Sequence, residues 1–324
     1  MNVSDLGEFG LIERLAKAAG ASKPESLIVG IGDDAAAWRV NDAVMLATTD
    51  TLVEGVHFLP GTPWADLGWK ALAVNVSDIA AMGGLPQYAL VTLALPPQTP
   101  VDSVDALYEG LRECAREYGV AVAGGDVVRA PQMAITVALL GRAEIDGEGR
   151  ARLMRRDAAR AGYAVAVTGT LGGSAAGLRR LKEGAPADDP LVRVHLRPRP
   201  PLATARRAAE LGVPCAIDVS DGLLQDLGHV CEMSGLGAVV RAAAVPVSAG
   251  LRDAYPGEAL TLACAGGEDY ELLLVAPPEM LDALGPVTVI GEMNESAERR
   301  PRLMDEAGNE VRLAVAGGWD HLRP

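Results

Sequence analysis

The sequence predicts an α+β protein made of two domains, each mixing a sheet with helices. Its 324 residues leave room for about two domains and a sizeable core. Short apolar runs and helical periodicities follow one another without the strict alternation of a doubly wound sheet. Midway, the polar and glycine-rich stretch 144–150 interrupts the apolar pattern. Such a stretch suits a domain boundary, which divides the chain into an N-terminal domain, 1–145, and a C-terminal domain, 146–324.

In the first half, Leu6, Phe9, Ile12, Leu15 and Ala19 fall at helical spacing. Apolar runs at 27–29, 44–47 and 88–95 read as strands. Residues 64–82 read as a helix ended by Gly83 and Gly84, and 101–118 as a second ended by Gly119. Strands follow at 120–123 and 133–141. In the second half, a strand at 163–168 runs through glycines into a small-residue helix at 174–183. The proline-rich stretch 184–201 reads as irregular. Helix 202–211, strand 215–219, helix 223–234 and strand 238–242 come next, then strands at 271–275 and 287–290 and a last apolar segment at 313–319.

Composition excludes several classes. With 29 basic and 43 acidic residues the net charge is −14, the wrong sign for a nucleic-acid or anionic-membrane surface. Two Phe, six Tyr and four Trp leave the core to Ala, Val, Leu and Ile. Cys114, Cys215, Cys231 and Cys264 form no C-x-x-C pair, so a reducing cytoplasm is expected. The start carries Asp5 and Glu8 and no basic lead into an apolar run, so no signal peptide is expected there. The uncharged stretch 79–101 is broken by Gly83, Gly84, Pro86, Pro96 and Pro97, so no membrane span is expected.

The chemistry lies in where the acids fall. Five times an apolar run passes through small residues to aspartate: Ile28-Val-Gly-Ile-Gly-Asp-Asp34, Met45-Leu-Ala-Thr-Thr-Asp50, Val122-Ala-Gly-Gly-Asp126, Ala216-Ile-Asp-Val-Ser-Asp221 and Ala265-Gly-Gly-Glu-Asp269. Asp78 adds a sixth inside an apolar helix. Singly, each is ordinary turn and N-cap chemistry. As a set they are harder to explain, because Asp78 and Asp218 sit in apolar runs where an unpaired charge is costly. Gathered carboxylates repel by roughly 4 kcal/mol per pair at 4 Å and an effective dielectric near 20, so they call for cations. Oxygen donors without Cys or paired His suit Mg²⁺ rather than Zn²⁺, and Mg²⁺ on aspartates points to phosphoryl transfer. No G-x-x-x-x-G-K-[ST] loop or protein-kinase signature is present. The glycine-rich Thr168–Gly177 stretch reads either as an anion site at a helix N-terminus or as tight packing.

Gly7-Glu-Phe-Gly-Leu-Ile12, Gly30-Ile-Gly-Asp-Asp-Ala35, Thr48-Thr-Asp-Thr-Leu-Val-Glu-Gly-Val-His-Phe58 and Trp69-Lys-Ala-Leu-Ala-Val-Asn-Val-Ser-Asp-Ile-Ala-Ala-Met-Gly83 resemble thiamine-monophosphate kinases. So do Gly124-Gly-Asp126, Val167-Thr-Gly-Thr-Leu-Gly-Gly-Ser-Ala-Ala-Gly177, His195-Leu-Arg-Pro198, Ile217-Asp-Val-Ser-Asp-Gly-Leu223 and Gly266-Gly-Glu-Asp-Tyr-Glu-Leu272, in the family's order. Gly173 stands where that family carries aspartate. The resemblance implies ATP-dependent phosphorylation of thiamine monophosphate to thiamine diphosphate with several Mg²⁺ ions. It also implies the fold shared with aminoimidazole ribonucleotide synthetase, in a homodimer whose N-terminal sheets form a joint barrel. By motif position it assigns Asp34, Thr48, Thr49, Asp50, Asp78, Asp126, Asp218 and Asp221 to metal. Tyr108, Gly125, Asp126, Arg156 and Ser220 are assigned to ATP, and His57, Glu268 and Trp319 to the thiamine moiety or its phosphate.

The acceptor phosphate is already mostly ionised at neutral pH, its second pKa being near 6, so no catalytic base is expected. Each assignment has a plainer counterpart: Arg156 as a solvated basic run, His57 as a half-buried structural histidine, Trp319 as a core-docking side chain. Glu268 or Asp269 is the expected complement to the thiazolium cation. His195 and His229 read as structural. Competing functions are another ATP-dependent enzyme of the same superfamily, a Mg²⁺-dependent phosphatase, and a non-catalytic MgATP-binding protein.

Overall fold

The computed structural model describes residues 2–20 and 24–313. Helix α1, Val3–Ala18, is interrupted at Gly7, where φ is 70°. Of its expected apolar stripe, Ile12 and Leu15 are 40% and 56% exposed. Strands β1 (Leu27–Val29), β2 (Ala36–Val40) and β3 (Ala43–Val53) lead to helix α2 (Trp64–Ala81) and strand β4 (Leu85–Leu95). Helix α3 (Val101–Tyr118) then crosses to β5 (Ala121–Arg129), and β6 (Ala134–Arg142) completes a sheet of order β1-β2-β3-β6-β4-β5. Only β4 and β5 pair in parallel, as the α3 crossover requires. Strand β5 is the bare edge of this open sheet, and all nine of its residues are exposed.

Strand β3 departs from the sequence expectation, which stopped at Ala47. Its ladder with β6 runs unbroken from Met45 opposite Arg142 to Val53 opposite Ala134. Apolar β6 fixes the polar Thr48-Thr-Asp-Thr51 run into the sheet, because strand preference follows the neighbours more than the residue. The period of two then sorts these side chains. Thr48 and Asp50 share the face of buried Val44, Leu46 and Leu52, while Thr49 and exposed Thr51 take the other. Asp126 likewise lies mid-strand, in β5. Asp218 closes its strand, whereas Asp50 and Asp126 lie inside theirs.

Helix α2 is buried around most of its circumference. It packs on the first sheet and on α3, and its exit reaches the second half. The α2–α3 crossing is close: a Cβ on Gly68 would lie 1.9 Å from the Leu107 carbonyl oxygen, and one on Gly110 1.7 Å from that of Ala65. No residue with a side chain fits either position.

The second half comprises β7 (Ala164–Val167), α4 (Gly173–Lys182), α5 (Pro190–Leu196), α6 (Leu202–Leu211), β8 (Cys215–Asp218), α7 (Leu223–Ser234) and β9 (Gly237–Arg241). Helices α8 (Ala249–Ala254) and α9 (Ala259–Ala265), strand β10 (Leu272–Ala276), helix α10 (Pro278–Leu284) and strands β11 (Thr288–Asn294) and β12 (Pro301–Met304) follow. The sheet order is β12-β9-β11-β7-β10-β8, antiparallel except for β12 on β9. Strands β7, β8 and β10 are buried at every residue, so this sheet is covered on both faces. One covering layer brings Ala80 and Ala81 of α2 and Met154 against Ala205 and Ala208 of α6, joining the two halves.

Helix α5 lies in the stretch expected to be irregular. Asp189 caps it, accepting from the Leu191 and Val192 N–H groups at 3.0 and 3.3 Å, and Pro190 opens it. Both are ordinary helix-start chemistry. The His195-Leu-Arg-Pro198 motif that follows clasps the first half. Arg197 donates to Asp66 and Glu113, each at 2.5 Å, and the Pro198 carbonyl accepts from Trp69 Nε1 at 2.7 Å.

Candidate active site

A cleft of about 770 Å³ opens where the halves meet. Asp50, Asp78 and His57 line it from the first half, and Asp218, Ser220, Asp221 and Glu268 from the second. Seven residues expected at the site thus share one cavity. Strand β3 delivers Asp50, α2 delivers Asp78, and the end of β8 with its following turn delivers Asp218 to Asp221.

One wall is a carboxylate cluster. Asp34, Asp78 and Asp218 each bring one oxygen within 4.8 Å of the other two. Thr48 Oγ1 donates to Asp78 Oδ2 at 2.5 Å, and Ser77 Oγ to Asp218 Oδ2 at 2.6 Å. Burial, with Asp50, Asp218 and Asp34 nearby, holds the Asp78 carboxyl well above the usual range against the Thr48 bond. Burial and Asp34 likewise push Asp218 up to about 8. Like charges drawn out of water raise each other's pKa in this way. Arg156 lies here too, donating to Asp34 and standing 3.7 Å from Asp33. Burial and Asp34 still push Asp33 up to about 7. The donors are all oxygen and their negative charges exceed the single guanidinium, which suits a hard cation such as Mg²⁺.

The carboxylate of Glu268, which also lines the cleft, is paired. Glu268 Oε1 meets Lys70 Nζ at 2.8 Å, and Oε2 meets His195 Nδ1 at 3.4 Å. Ser174 Oγ lies 3.0 Å from the same His195 nitrogen. Burial works to raise the Glu268 pKa, but Lys70 and His195 outweigh it and hold the carboxyl below its ordinary value. His57 Nδ1 accepts from the Val53 N–H at 3.0 Å, which fixes the ring on its own loop. Asp269 turns away from the cleft and accepts from the Gly172 and Ser174 N–H groups at 2.6 and 3.1 Å. The anion at the α4 N-terminus is therefore the protein's own Asp269, and tight packing accompanies it: a Cβ on Gly172 would lie 2.6 Å from Ala263 N.

Other expected residues stand elsewhere in the single chain. Thr49 Oγ1 donates to the Val137 carbonyl at 3.1 Å, on the opposite face of β3. Gly125 and Asp126 are exposed on the β5 edge, where Asp126 Oδ1 accepts the Val127 N–H at 2.8 Å. Tyr108 lines a second cleft, of about 710 Å³, between α3 and the start of β5. Asp221, already placed in the cleft, also lies within 4.8 Å of Asp226 and His229. Asp226 braces the turn, accepting from the Ser220, Asp221 and Gly222 N–H groups at 3.1, 3.2 and 3.0 Å. Trp319 lies outside the described residues.

Known proteins match this arrangement along the whole chain. Residues 32–143 match the family model "AIR synthase related protein, N-terminal domain", and 160–303 its C-terminal counterpart. A thiamine-monophosphate kinase of Escherichia coli strain K12 is 40% identical, with 98% of each chain covered. One from Aquifex aeolicus is 36% identical, over 91% of this chain and 94% of the relative. The solved structure described as "AaThiL complexed with AMPPCP and TMP" superposes with a TM-score of 0.88 at 34% identity, covering 99% of each chain. The chain belongs to the thiamine-monophosphate kinase family.

Within that family frame, Lys70 and Lys182 are cleft-side cations that sequence reasoning missed. Lys182 lines the cavity, and Lys70 is 2% exposed behind it. Lys70 did leave a signal, as the one charge among residues 67–77. His195, read as structural, touches the cleft residue Glu268. The thiazolium-complement reading of Asp269 is corrected, because its carboxylate is committed to α4. No described helix is long and apolar enough to cross a membrane.

Proposed function

We propose that this chain is a thiamine-monophosphate kinase, moving the γ-phosphoryl group of ATP in line onto the phosphate of thiamine monophosphate to give thiamine diphosphate and ADP. The observation that carries the reading is the single cleft lined by Asp50, Asp78, Asp218 and Asp221 together with His57 and Glu268, in a chain 40% identical to such a kinase over 98% of both lengths.

Joining two phosphates means bringing one anion onto another. The chain answers with position and charge, and needs no base, because the acceptor oxygen is already ionised. Asp34, Asp50, Asp78 and Asp218, with the Thr48 hydroxyl, would hold Mg²⁺, joined by Asp221, Asp126 and Thr49 by family position. Bound there, Mg²⁺ would offset the phosphate charges and align the transfer. Arg156 adds a guanidinium fork suited to phosphate oxygens, and Ser220 lines the cleft. Glu268, His57 and Trp319 are assigned to the acceptor. Tyr108, Gly125 and Asp126 are assigned to ATP. The place of Gly125 and Asp126 on the bare β5 edge favours a homodimer in which a second copy covers that edge. The domain boundary near residue 145 and a cytoplasmic location complete the reading.

The test incubates purified protein with MgATP and thiamine monophosphate and follows thiamine diphosphate and ADP. The reading requires one ADP per thiamine diphosphate. Absence of product, or preference for free thiamine as acceptor, overturns it.

A further inference from the structure

Lys70 is a buried cation with a single carboxylate partner among the described residues, and that partner reaches the cleft. Its ammonium lies 2.8 Å from Glu268 Oε1 and 3.5 Å from the His57 carbonyl oxygen. From α2 in the first half it therefore grips one cleft residue of each half. Glu268 needs holding, since its φ of 64° is one that side-chain-bearing residues rarely adopt. Its backbone N–H donates to the Ser220 carbonyl at 2.7 Å, and its second oxygen meets His195.

This pairing changes what Glu268 offers a ligand. A carboxylate already matched by an ammonium presents little net charge to the cleft. Its oxygens still carry about four lone-pair sites between them, and Lys70 and His195 use only part of that capacity. Thiamine monophosphate offers both kinds of handle, a positively charged thiazolium and an amino group on its pyrimidine.

Building on the kinase reading, we propose that Lys70 is a positioning residue that sets Glu268 as a hydrogen-bond acceptor for an N–H donor on the acceptor substrate, and not as a counter-ion for its positive charge. Lys70 acts through Glu268 and touches no substrate.

The experiment compares wild type, Lys70→Met, Glu268→Gln and the double variant. Three acceptors are used: thiamine monophosphate, its analogue with the pyrimidine amine replaced by oxygen, and its analogue with an uncharged ring in place of the thiazolium. Each single variant should lose about 10- to 100-fold in kcat/KM for thiamine monophosphate, the range for one charged hydrogen bond. The loss should fall on the acceptor KM and leave the ATP KM unchanged. The double variant should be no worse than the weaker single. In every variant the preference for the amine over the oxygen analogue should collapse. In Glu268→Gln the new amide, turned with its oxygen to Lys70, would even present an N–H₂ that favours the oxygen analogue. The preference for the charged over the uncharged ring should stay as in wild type.

Additive losses overturn the positioning role, and collapse of the charge preference overturns the acceptor role. Should Lys70→Met not fold, Lys70→Gln carries the same comparison. A wild type that phosphorylates no acceptor sinks the kinase reading. The ligand-free melting temperatures of the four proteins then still judge the pair, because additive changes would show that Lys70 and Glu268 are not coupled.

Discussion

At one wall of the cleft, Asp78 and Asp218, with Asp34 behind them, crowd their oxygens within 4.8 Å, and Arg156 donates to Asp34. On the other, Glu268 divides its two oxygens between Lys70 and His195. Both sites rest on carboxylates, yet charge is in surplus on the first and matched on the second. A surplus of buried charge is stable only when something arrives to share it, while a matched pair is complete in the folded chain. The first wall is therefore built to receive cation and phosphate, and the second to hold a fixed shape against an organic substrate.

Breaking the first wall should have the greatest effect. Asp78→Asn is expected to lower kcat about 1000-fold, the scale for losing one well-placed electrostatic group, with circular dichroism unchanged. Because it removes one of several repelling charges, its metal-free melting temperature should equal or exceed that of wild type. Retained activity at saturating Mg²⁺ would count against a metal role for Asp78.

The matched wall should respond in the opposite sense. Lys70→Met leaves Glu268 without its counter-ion and is expected to cost about 3 kcal/mol of unfolding free energy, at the low end for a broken buried pair because Glu268 keeps some exposure. Denaturant titration measures this. A stability no lower than wild type would show that the pair contributes nothing.

Acid should loosen the second wall through His195. Burial, then Lys70, lowers its pKa from 6.5 to about 3, so the unfolded chain binds a proton there before the folded one does. This contribution is complete above pH 6.5 and is lost as pH falls below it, by about 2 kcal/mol between pH 6.5 and 5. His195→Gln should flatten that part of the pH–stability curve, and an unchanged slope would assign the acid loss elsewhere.

Metal binding separates the two carboxylate sites directly. Adding Mg²⁺ to metal-free protein should raise the melting temperature, by about 2.7 kcal/mol of stability at a concentration 100 times the dissociation constant. The rise should vanish in Asp78→Asn and persist in Lys70→Met. Loss of the response in both variants would mean that the walls are not independent.

Much of this site was legible before folding. Asp78 and Asp218 stand out because each is a charge inside an apolar run, and α2 shows itself by its apolar spacing and its terminal glycines. Helix α5 was readable too, from Asp189 and Pro190, but the surrounding prolines hid it. The full length of β3 was not readable, because only pairing with β6 holds Thr48 and Asp50 in the sheet. Nor was the partner of Lys70, since Glu268 is far along the chain.

Residue types and local spacing determined by themselves that the chain gathers carboxylates, lacks nucleotide-loop motifs and forms two mixed domains. These are properties of composition and of short-range periodicity, which need no partner to exist. Only the tertiary structure decided which acids remain in surplus and which are neutralised. The charge state of a buried group depends on what lies within a few ångströms of it, and here those neighbours come from opposite halves of the molecule.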